Sequence, residues 1–150
     1  MKRHRVVLGS YALGLLVMLC SCSLSATAQE QVAVIVNPSN NISSLSAGDL
    51  HRIFTGDKST WPNGKHIFVI MAAPGSAERT TILKSVFKMS ETEYAKYFLQ
   101  AAFTGAVSAP PKDASSVAEI RQLVAANPEA IGYVKAQDAD NSVKVVLKVP

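Results

Sequence analysis

The chain has 150 residues with 15 basic and 11 acidic side chains, two cysteines and 48% apolar residues. Three of the basic residues and both cysteines fall within the first 28 positions, which leaves twelve basic against eleven acidic residues, a net +1, for the remainder. That near-neutral balance gives no electrostatic footprint for nucleic acid, and a cysteine-free remainder excludes disulfides and thiolate metal sites.

Lys2, Arg3 and Arg5 form a basic start, Val6 to Leu19 an apolar run, and Ala26-Thr27-Ala28 an A-x-A cleavage site. The uninterrupted apolar run is shorter than the roughly 20 residues that cross a bilayer. Residues 1–28 therefore read as a signal peptide, and the product is expected to be periplasmic or secreted. Leu19-Cys20-Ser21-Cys22 also has lipobox spacing, so a lipoprotein anchored at Cys22 is a lesser alternative. Residues 29–150 suit a single domain with one core.

Val32-Ala33-Val34-Ile35-Val36 is continuously apolar and closes on Asn37-Pro38-Ser39-Asn40-Asn41, the pattern of a strand buried on both faces and ended by a turn. Ser46 can cap the next helix, with Asp49 three residues on, Leu50, Ile53 and Phe54 on one buried face, and Gly56 as a left-handed exit. Trp61 is expected to pack over the core beyond that exit. Ile67 to Met71 predicts a second buried strand, and Ala72 to Ser76 the turn into a helix carrying Ile82, Leu83, Val86 and Phe87.

Ser90-Glu91-Thr92-Glu93 has capping-box spacing ahead of Tyr94, Tyr97, Phe98 and Ala101. Ala109-Pro110-Pro111-Lys112 reads as a loop. Ser116-Val117-Ala118-Glu119 repeats the capping pattern before Ile120, Leu123 and Val124, and Asn127-Pro128 ends that helix. Ile131 to Val134 is a short strand, and Val143 to Val149 a final edge strand whose lysines guard against intermolecular pairing. Interleaved strands and helices predict an α/β lobe.

Four pieces in order carry a resemblance: Leu45-Ser46 to Gly56 with Trp61, the turn Pro74-Gly75-Ser76-Ala77-Glu78-Arg79, Phe103-Thr104-Gly105 followed by prolines, and Asn127-Pro128-Glu129-Ala130-Ile131-Gly132-Tyr133-Val134. In these the chain resembles the phosphate-binding-protein family of ABC-transporter solute receptors, and its small one-lobe relatives most. The resemblance covers nearly all of residues 29–150. It implies a non-enzymatic, periplasmic binding lobe, with a mostly parallel sheet flanked by helices, of the type II periplasmic-binding-protein topology.

It also places an oxyanion site, for phosphate or sulfate, at Gly75, Ser76, Ala77, Glu78 and Arg79. A helix start leaves amide hydrogens unpaired and partly positive, and Gly75 lets backbone approach closely. Ser76 has the plainer reading of an ordinary N-cap. Two departures weaken the site: the family's arginine position is Ala72, and its Ser-Gly-Thr triplet reads Ser76-Ala77-Glu78. Arg79 could compensate bidentately, or instead serve as a surface residue or a partner for Glu78 or Asp49.

One lobe alone offers an open, wet face, so binding is expected to be weak unless a homodimer or an envelope protein supplies a second wall. The alternative is a ligand-free interaction or adaptor module of the envelope on the same fold. No cofactor and no metal are expected. His51 and His66 lack partners at ligand spacing, Asp138 and Asp140 read as turn formers, and no nucleophile elbow or carboxylate pair points to an enzyme.

Overall fold

The computed structural model describes residues 31–107 and 110–150, so the signal peptide read over 1–28, its cleavage site and Cys22 lie outside the described residues. Strand β1 (Val32–Val36) is buried at every position, which is why its sequence is apolar throughout instead of alternating. With it pair β2 (Phe68–Ala72), β3 (Lys112–Ala114), β4 (Ala130–Lys135) and β5 (Lys144–Val149), in the order β3-β2-β4-β1-β5. β2 is parallel to β3 and β4, while β1 is antiparallel to β4 and β5. Four strands thus run one way and β1 alone opposes them, the expected α/β lobe. β5 lies at one edge, as its lysines predict; the other edge is β3, which begins at a residue read from sequence as loop.

Helix α1 (Ala47–Phe54) starts on Ser46, whose Oγ accepts from the Asp49 amide at 3.0 Å, and buries Leu50, Ile53 and Phe54 as predicted. Its exit uses Gly56 at φ +87°. The last carbonyls of a helix lack intrahelical donors. Here the hydroxyls of Tyr94 and Tyr97 supply them, donating to the carbonyls of Phe54 at 3.0 Å and Thr55 at 2.9 Å.

Both tyrosines belong to α3 (Glu91–Thr104), which opens with the complete capping box its sequence predicts. Helix α2 (Ala77–Ile82) runs into a π-helical turn, Leu83–Phe87, and ends on Lys88 in the left-handed region at φ 56°. Helix α4 (Val117–Ala126) corrects one expectation. Ser116 accepts from the Glu119 amide at 3.1 Å, but the Glu119 carboxylate turns to the amide and hydroxyl of Ser115, both at 2.7 Å, so the reciprocal half of the box is not made on Ser116.

The turn after β1 is tied to the far end of α4. Asn37 Nδ2 donates to the carbonyls of Val124 at 3.0 Å and Ala125 at 2.7 Å, closing that helix end. At the centre, Tyr133 packs 5.8 Å from Phe54 between ring centroids, and its hydroxyl accepts from the Ala72 amide at 3.2 Å. Trp61 covers the core as expected, 3% exposed, with Nε1 donating to the Glu129 carbonyl at 3.1 Å.

Candidate functional site

β2 and β3 run parallel with Met71 opposite Asp113 and Ala72 opposite Ala114, so their carboxyl ends sit side by side. Each is followed by a serine-capped helix. In open α/β sheets such a crevice at the strand ends is where ligands sit. The turn from β2 leaves through Gly75 at φ +82°, a conformation that other residues adopt only with strain, and a Cβ there would meet nothing within 4 Å. The turn is therefore open to solvent.

Ser76 is first of all an N-cap. Its Oγ accepts from the Arg79 amide at 3.2 Å, and its carbonyl accepts from the amide and hydroxyl of Thr80 at 3.0 and 2.9 Å. The Ser76 hydroxyl hydrogen has no acceptor among the described residues. Ala77 and Glu78 hold the first two helical positions, whose amides have no intrahelical acceptor. These three donors lie in a segment where Ala77 is exposed and Ser76 and Glu78 are half-buried.

Arg79 departs from its expected surroundings. It is 5% exposed and turned back over the strand ends. Nε and Nη2 grip Glu91 at 3.0 and 2.6 Å, while Nη1 donates to Asp113 at 2.5 Å and to the Ala72 carbonyl at 3.0 Å. Its guanidinium carbon lies 5.8 Å from the centre of the Tyr94 ring, within cation–π range. Burial works against the charge, but the hydrogen bonds the guanidinium donates to Asp113 and Glu91, with their negative charges, outweigh it and hold the pKa above the ordinary arginine value. The partners are thus Glu91 and Asp113; Asp49 is engaged by Ser46 and Lys58, and Glu78 stays outside the network. With two carboxylates on one guanidinium, the local charge behind the turn is negative, not positive.

Glu91 sits inside the Ser90–Glu93 capping box without being one of its partners, Asp113 carries no motif, and their distances along the chain hide their convergence. Asp113 does sit in a segment whose only sequence signal is Pro-Pro. Elsewhere, no group of three or more His, Cys, Asp or Glu is placed to hold a metal among the described residues. His51 is not a plain surface residue: its ring packs 5.6 Å from that of Phe87. Asp140 accepts from the Ser142 amide at 2.9 Å and from Arg121 at 2.6 Å, the turn-forming role expected of it.

No protein-family model matches the chain, and no curated protein matches it significantly. Solved structures do. An ABC-type phosphate transport receptor from Vibrio cholerae superposes with a TM-score of 0.63 at 20% identity, over 78% of this chain and 45% of the receptor. A putative phosphate ABC transporter substrate-binding protein with bound phosphate from Clostridium perfringens gives 0.64 at 22% identity, over 78% and 44%. PstS from Borrelia burgdorferi gives 0.62 at 17% identity, over 78% and 46%. The chain spans less than half the length of these structures. At such identities the likeness is one of fold: a single lobe of a type II periplasmic binding protein.

Proposed function

We propose that this chain is a non-catalytic binding lobe, exported to the periplasm, that takes phosphate or a related oxyanion weakly at the turn Gly75, Ser76, Ala77, Glu78, Arg79. The observation that carries this reading is the set of three donors without intrahelical acceptors, the Ser76 hydroxyl and the amides of Ala77 and Glu78, at an exposed turn on a fold shared with phosphate receptors. Arg79 acts from behind: it holds Glu91, Asp113 and the end of β2 in place and gives the ligand no free charge. A few charge-assisted hydrogen bonds on an open face correspond to a Kd of about 1 mM. A second copy or an envelope protein, covering the face, would tighten it by excluding water.

Titration of phosphate at low salt, followed by heat, tests the reading. Saturable heat that Ser76→Ala abolishes supports it, and absence of heat at phosphate well above that concentration contradicts it. The second reading, an adaptor that uses the fold without a ligand, is favoured by the guanidinium already satisfied by two internal carboxylates and by Phe103, 85% exposed on α3. Stable capture of an envelope protein without added anion supports that reading.

A further inference from the structure

A cavity of about 270 Å³ opens at the opposite end of β2 and β3 from the Gly75 turn, where both strands begin. Its floor is apolar: Phe54, Phe68, Phe98 and Pro111 line it, and Val107 closes one side. That side is built by a close approach, since a Cβ on Gly56 would collide with Cγ1 of Val107, so the Ile-Phe-Thr-Gly corner of α1 and the segment after α3 seat directly on each other. Lys58, His66 and Lys112 also line the cavity, and among the described residues no Asp or Glu does. Lys58 is shared with Asp49 at 3.4 Å, outside the wall.

We propose that this cavity is a ligand site for a small amphipathic organic anion, an aromatic carboxylate of one or two rings. The volume lies just below the usual range of small-molecule pockets, which selects a compact ligand. Aromatic and proline walls bury the ring. Lys112 and the Lys58 ammonium, the latter shared with Asp49, set cationic groups at the mouth of an apolar wall that carries no carboxylate among the described residues, so an anion is favoured there over a neutral ligand of the same shape. A dianion as hydrated as phosphate gains nothing from the apolar floor, so the two ends of β2 and β3 take chemically different ligands.

Naphthoate, with uncharged naphthamide as control, is titrated into the purified full chain and followed by backbone amide NMR. Saturable naphthoate binding is expected, with shifts confined to Gly56, Val69, Val107 and Lys112. Lys58→Glu with Lys112→Glu should weaken naphthoate about tenfold and leave naphthamide unchanged. An unaltered amide spectrum of the variant elsewhere shows that it is folded. Naphthoate that fails to saturate, binds no better than naphthamide, or shifts Ser76 to Glu78 instead overturns the proposal.

Discussion

The guanidinium of Arg79 and the carboxylate of Glu91 meet side-on, with Nη2 to Oε1 at 2.6 Å and Nε to Oε2 at 3.0 Å. This pair joins α2 to α3, and the Asp113 contact extends it to the edge strand β3. Arg79→Ala therefore removes one side chain and takes its donors from the Glu91 and Asp113 carboxylates and the Ala72 carbonyl, four acceptor atoms in all. Because Glu91 and Asp113 are 40% and 54% exposed, water can recover part of the loss, and the cost should be about 2 kcal/mol, below that of a fully buried pair. Arg79→Lys should recover little of it, since an ammonium cannot form the bidentate fork. Urea unfolding with an unchanged m-value checks both.

Ser76→Ala and Ser90→Ala remove comparable N-caps, whose hydroxyls accept from Arg79 and Glu93 amides at the same 3.2 Å. Each should lower stability by about 1 kcal/mol. Only Ser76→Ala should change phosphate binding. Equal loss of binding in both would show that stability, not the donor, had been measured.

Tyr133→Phe deletes the acceptor of the buried Ala72 amide and leaves that N–H unpaired beside the Arg79 network. A cost of about 1–2 kcal/mol is expected. Trp61, the one tryptophan of the chain and 3% exposed, supplies the probe. Its emission should shift to the red on unfolding, at a lower urea midpoint in the variant.

Stability should fall at both extremes of pH. Hydrogen bonds from Ser46, Ser90, Ser115 and Ser142 hold Asp49, Glu93, Glu119 and Asp140 below their ordinary values of 3.8 and 4.5. The unfolded chain binds protons on these groups more readily, so their contribution is present above those values and lost as pH falls through the lowered ones. Burial pushes the Tyr94 and Tyr133 hydroxyls above the ordinary 10.0, so here the folded state keeps its protons longer and stability is lost as pH rises past 10. Thermal melts across pH should show both limbs. A flat acid limb would mean that the serine contacts are not maintained in solution.

Much of the fold is legible because its signals are local. The apolar run Val32–Val36, the Ser46 and Ser90 caps and the stop at Asn127-Pro128 each need only a few neighbouring residues, and each lies where its pattern places it. β3 escaped because three residues, two of them exposed, carry no alternation, and its pairing with β2 spans some forty positions. The π-helical turn escaped because Leu83 and Phe87 keep a helical spacing whichever ladder forms. Arg79 was visible as a candidate, but its partners stand 12 and 34 residues away, and only the packing of α3 and β3 against α2 brings them to it. The acids the sequence offered as partners, Glu78 and Asp49, are not the ones that reach it; Asp49 is held by Ser46 and Lys58.

The central claim is that the turn after β2 is an anion-binding face. Backbone amide NMR of the folded chain during phosphate addition tests it most directly, because it places the ligand as well as detecting it. Saturable shifts at Ser76, Ala77 and Glu78, absent in Ser76→Ala and with Arg79 signals little changed, are the predicted result. Shifts that stay unsaturated across the sequence, or none at that turn, would contradict it.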